Sequence, residues 1–107
     1  MREGDSRPMS ELYRLAAEEW VDRDAAATIL EELKTAFLSK RMAELGDMAV
    51  NKAERIIKSS AEWHDYITKM VNARKAASKA KVQVEFLRMK AWEAQSAEAN
   101  ARAERRM

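Results

Sequence analysis

The sequence has no cysteine, one proline, two glycines and one histidine. Without cysteine there is no disulfide framework, no thiolate metal site and no thiol nucleophile, which fits a reducing cytoplasm. No stretch approaches roughly 18 consecutive apolar residues, so a membrane-spanning helix is not expected. The segment from Met1 to Pro8 is polar and lacks the apolar centre of a secretory signal. It reads as a flexible N-terminus, 1–8. Aromatics are few, at 7%. Glycine-rich phosphate loops, G-x-S-x-G and H-E-x-x-H are all missing.

Helix formers fill the space left by these absences. Ala, Glu, Lys, Arg, Leu and Met dominate the 107 residues, and β-branched runs are missing. The expected class is all-α: short N-terminal helices over 9–58, then one long helix over 59–107, within a single domain. Ser10 is the expected N-cap of a first helix ending near Asp22, with Leu12, Leu15, Ala16 and Trp20 on its apolar face. Asp22 and Asp24 are expected to start a second helix, burying Ile29, Leu33, Ala36 and Phe37 with Leu30 beside them. Gly46 should stop it near Leu45, and Asp47 should open a short helix carrying Ile56 and Ile57.

Ser59 and Glu62 have the S-x-x-E form of a capping box, and no Gly or Pro follows. About 46 residues of unbroken helix would span roughly 70 Å at 1.5 Å per residue, too long to lie inside a compact domain of this size. Residue pattern alone leaves open a fold-back near Ala76–Ser78. Steps of four and three pick out Tyr66, Met70, Ala73, Ala77, Ala80, Val84, Leu87, Ala91 and Ala94, all uncharged. Period 3.5 is the coiled-coil signature, so these nine are the expected oligomer interface, although packing within one chain would use the same pattern. A second apolar line, Val82, Phe86, Met89 and Trp92, suits a bundle or higher oligomer. Beyond Gln95 the chain is Ala-rich, with Glu98 and Arg102 as a favourable i,i+4 pair.

Charge is uneven. Residues 1–45 carry seven basic and ten acidic side chains, whereas 46–107 carry thirteen and eight. From Lys69 to Lys90, seven basic residues face Glu85 alone. Arg74, Lys75, Lys79, Lys81 and Arg88 are therefore the candidate contacts for DNA or another anionic partner. Phe86 and Trp92 lie near this patch and are expected in the core. Around Glu18, Glu19, Asp22 and Asp24 the chain offers an acidic surface instead, suited to a host-directed inhibitor or structural assembly protein.

Signals for catalysis are sparse. The helical neighbours of His64 are Ser60, Ala61, Ile67 and Thr68, none a carboxylate, so no metal site is expected there. The tetrapeptides Glu19-Trp20-Val21-Asp22 and Glu62-Trp63-His64-Asp65 each place two carboxylates at i and i+3, a spacing that can hold Mg²⁺. All-α nucleotide pyrophosphohydrolases of the MazG-like class use comparable helices. The second E-x-x-E of that class is missing here, so a Mg²⁺-dependent hydrolase is the minor alternative.

The stretches Ser60-Ala-Glu-Trp-His-Asp-Tyr-Ile, Lys81-Val-Gln-Val-Glu-Phe-Leu-Arg-Met-Lys and Ser96-Ala-Glu-Ala-Asn-Ala-Arg-Ala-Glu carry a resemblance. Together they resemble small uncharacterised helical phage and prophage proteins encoded near recombination and single-strand-annealing genes. The resemblance covers roughly the C-terminal half and carries over no functional residues. It implies an accessory role in DNA metabolism in the bacterial host cytoplasm. The combined expectation is a non-enzymatic homo-oligomer that engages DNA or a DNA-processing protein, with no cofactor, metal, membrane or small-molecule substrate.

Overall fold

The computed structural model describes residues 6–106. Residues 1–5 of the expected flexible N-terminus, and Met107, lie outside the described residues. Three helices follow one another: α1 (Met9–Glu44), α2 (Val50–Lys58) and α3 (Ala61–Arg106). No described residue is in a strand.

Pro8 precedes α1, and its carbonyl accepts the N–H groups of Glu11 and Leu12 at 3.0 and 3.1 Å. The helix therefore starts at the proline, and Ser10 lies inside it rather than capping it. Nor does the chain break at Asp22 or Asp24: the two expected helices are one of 36 residues. A carboxylate in mid-helix costs only a few tenths of a kcal/mol in propensity, and Asp24 gains a partner across the fold. Gly46, at φ +81°, closes α1 by donating its N–H to the Ala43 carbonyl at 3.1 Å. Nothing lies within 4 Å of where a Cβ would stand, so the backbone angle alone calls for glycine.

α2 starts at Val50 behind Ala49, whose carbonyl accepts the Ala53 N–H at 2.9 Å, so Asp47 does not open it. It buries Ala53 and Ile57. The serine pair then divides its work. Ser59 donates its hydroxyl back to the Arg55 carbonyl at 2.8 Å, ending α2. Ser60 donates to Ile57 O at 2.6 Å and accepts the Trp63 N–H at 3.2 Å, so the cap of α3 is Ser60, one residue later than expected. From there α3 runs 46 residues without folding back at 76–78.

α1 and α3 form an antiparallel hairpin 83 Å long and 24 by 16 Å in section, with α2 at its closed end. Three contacts set the register between the two helices: Phe37 stacks on Tyr66, Asp24 meets Arg74, and Trp20 lies beneath Lys81. Nearest the closed end, Phe37, Trp63 and Tyr66 form an aromatic cluster with centroids 4.5–6.4 Å apart. The Tyr66 hydroxyl donates to the Leu30 carbonyl at 2.6 Å. Further along, the seam buries Ala27 (0% exposed) and Ala77 (1%), then Val84 and Leu87.

The nine positions expected to meet a second chain thus run along the face that α1 occupies in the same chain. Ala77, Val84 and Leu87 are buried, Tyr66, Met70, Ala73, Ala80 and Ala91 are half-buried, and Ala94 is exposed where α1 runs out. On α1, Leu12, Leu15, Ala16, Trp20, Leu30 and Phe37 are half-buried as expected, and three positions are not. Ile29 (57% exposed), Leu33 (53%) and Ala36, expected inside, face outward, because the continuous helix is oriented by Trp20, Ala27, Leu30 and Phe37.

Candidate binding surface on the long helix

The five cations singled out from the sequence occupy three different environments. Arg74, Lys81 and Arg88 recur every seven residues, so they share the flank of α3 that borders α1. Arg74 is clamped there. Its Nε and Nη2 bond to Glu31 at 2.9 and 2.7 Å, Nη1 reaches Asp24 Oδ1 at 2.6 Å, and Nη2 also reaches Thr28 Oγ1 at 3.1 Å. The hydrogen bond from Arg74, partly offset by desolvation, holds the Glu31 carboxyl below its ordinary value of 4.5. Glu31 and Asp24 in turn push the guanidinium pKa upward. Two carboxylates balance this charge, so Arg74 is a fastener of the hairpin and a poor candidate for an external phosphate.

Lys81 holds its ammonium 5.7 Å from the Trp20 ring, still exposed to water. Arg88 edges a shallow groove of about 510 Å³ lined by Met9, Ser10, Tyr13, Ala91 and Gln95. Lys75 and Lys79 lie on the far side of α3, turned away from α1, and no ion pair among the described residues is recorded for either. Val82, Phe86 and Met89 follow on the same face, about one, two and three turns beyond Lys79, with Trp92 on the adjoining flank. Trp92 is 68% exposed, and Phe86 is exposed beneath the Lys90 ammonium at 5.6 Å. Neither aromatic is in the core, contrary to expectation. The α1 seam is too narrow to reach them.

The acidic residues of α1 are largely paired. Glu18 bonds to Arg14 at 2.8 Å, Glu19 to Arg23 at 2.6 Å, and Asp24 to Arg74. Arg14 also clasps Glu11, whose pKa falls mainly through that hydrogen bond. Of the four acidic candidates, Asp22 has no recorded ion pair among the described residues.

The two E-W-x-D tetrapeptides do not converge. Trp20 sits beside Lys81 and Trp63 beside Phe37, which separates the tetrapeptides by roughly 25 Å along α1 at 1.5 Å per residue. Glu62 pairs with Arg41 at 3.2 Å, and Trp63 is buried. Among the described residues no three His, Asp or Glu side chains gather in a metal-holding group, and His64 is exposed. No described helix is long and apolar enough to cross a membrane. No protein-family model, curated protein or solved structure matches the chain.

Proposed function

We propose that this protein acts by binding rather than catalysis, as an accessory or adaptor of the phage type that engages DNA or a DNA-processing partner through α3. One observation carries the reading: the exposed Lys75 and Lys79 share the outward face of the long helix with the exposed ring of Phe86, while Trp92 is exposed on the neighbouring flank beside Arg88. Cations that track a phosphate backbone, interleaved with rings that stack on unpaired bases, are what single-strand binding needs. Lys81 and Arg88 extend the positive surface toward the groove, while Arg74 is withdrawn from it. Such work belongs in the bacterial host cytoplasm.

Fluorescence anisotropy with labelled single- and double-stranded oligonucleotides, at low and moderate salt, tests this directly. Binding should weaken steeply with salt and favour the single strand. The double variant K75E/K79E should lose two phosphate contacts, lowering the log–log salt slope by about 1.4 on a single strand. Absence of binding at low salt, or binding indifferent to K75E/K79E, overturns the DNA reading. The exposed line Val82, Phe86, Met89 and Trp92 favours the second reading, a structural or host-directed protein acting through protein–protein contacts.

A further inference from the structure

The hairpin leaves far more surface in water than a chain of its size ordinarily does. A compact monomer of 12.3 kDa exposes about 6,100 Å², against 8,424 Å² here. Its radius of gyration is 23.2 Å, where about 13 Å is usual for this length. The excess of roughly 2,300 Å² is larger than the ~800 Å² per partner that a standard interface buries.

Some of that surface lies on α1 in an ordered row. Asp22, Ala26, Ile29, Leu33, Ala36 and Lys40 follow one another at steps of four, three, four, three and four. All six are exposed, and Ile29 and Leu33 are the largest apolar side chains among them. The period of 3.5 is a second coiled-coil seam, on a helix whose first seam is filled by α3. Its order is palindromic in chemical character: an acid, a small residue, two branched aliphatics, a small residue, a base. A copy running the opposite way matches it position for position. Ile29 then meets Leu33 of the other copy, Ala26 meets Ala36, and Asp22 meets Lys40, each pair occurring twice about one two-fold axis. The alanine layers let the backbones approach closely on either side of the aliphatic centre. Both ends close with opposite charges.

We infer that α1 is the contact between two copies of this chain, paired antiparallel through this row into an isologous dimer. A two-fold interface must be self-complementary, and this row is. The dimer does not depend on the DNA reading: it leaves Lys75, Lys79, Phe86 and Trp92 uncovered, and it places an α3 on each outer side. One feature opposes it. Glu32 of each copy lies beside the axis, and these like charges face one another.

Sedimentation equilibrium of the full chain, over a wide range of micromolar concentration, is the test. The wild type should show a monomer–dimer equilibrium. D22K and K40D each turn both end pairs into repulsive ones, and each should weaken the dimer by about tenfold. An equimolar mixture of the two should recover wild-type affinity, because every end pair is again opposite in sign. E32Q should tighten the dimer. Both end positions are exposed, so circular dichroism should show unchanged helicity. A wild type that stays monomeric throughout overturns the inference. So does self-association that D22K and K40D leave unchanged, which would place the contact on another face.

Discussion

Replacing Ala77 with leucine sets two physical arguments against each other. Leucine at a coiled-coil seam ordinarily adds burial: three extra carbons at about 0.8 kcal/mol each would contribute roughly 2 kcal/mol. Here Ala77 is 1% exposed, and Ala27 on the facing side of α1, about one turn along the same seam, is fully buried. With both alanines buried between the two helices, a branched four-carbon side chain has no space unless α1 and α3 move apart. Separation at residue 77 would loosen the Arg74 clamp one turn before it, and Val84 and Leu87 two to three turns after. Overpacking of this kind costs about 1–3 kcal/mol. For a domain of about 100 residues, a loss of 2 kcal/mol lowers Tm by roughly 8–10 °C. Melts followed by far-UV circular dichroism at several low protein concentrations keep dimerisation from contributing. S78L is the control. It places the same side chain on the next residue, which is exposed, and should stay within about 0.5 kcal/mol of wild type. If A77L melts at or above S78L, the seam has room for a larger side chain and Ala77 does not set the helix separation.

Two further outcomes test the joint and the clamp. S60A removes the acceptor for the Trp63 N–H and should cost about 1 kcal/mol in chemical denaturation. S59A, which removes only a donor to a helix-end carbonyl, should cost clearly less; equal losses would deny Ser60 its capping role. Glu31 has a folded pKa below its unfolded value because of the hydrogen bond from Arg74. Its stabilisation is therefore complete above the ordinary value of 4.5 and fades as the pH falls through the folded value. E31Q should accordingly flatten the acid side of the stability profile; a variant that loses as much stability on acidification as wild type would show that the clamp is energetically idle.

Much of this architecture was legible in the residues, and the misses have physical causes. The length of α3 could be read from a capping serine followed by 46 residues without a helix breaker, since nothing local opposes propagation. The seam from Tyr66 to Leu87 was equally visible, but a 3.5 period says only that a helix is met, not which chain carries it. The break expected at Asp22 and Asp24 failed because cap propensity is a weak, local preference. Asp24 answers to Arg74, fifty residues away, and tertiary pairing outweighed it. The same separation hid the neutralisation of Arg74, which the sequence presents as one cation among several. A separate helix starting at Asp22 or Asp24 points Ile29 and Leu33 inward, because Trp20 then has no part in orienting it. Once α1 is continuous, Trp20 and Ala27 set its rotation, and the aliphatic pair turns outward.

The antiparallel ladder also fixes how the molecule responds to load. The first turn of α1 and the last third of α3 lie at the same, open end of the rod, opposite the Gly46 and Ser59–Ser60 joint. A pull applied between them acts across the seam rather than along it. The layers would therefore open in succession, from the Arg88 groove past Lys81 and Trp20 to the Arg74 clamp, and last of all the aromatic cluster. Refolding would run the other way, closing first where Phe37 and Tyr66 are near in sequence and zipping outward as each layer shortens the next loop. A force probe attached at the open end should record a low, sawtooth-like peel, whereas the same hairpin gripped at opposite ends would shear all its layers at once and resist far more.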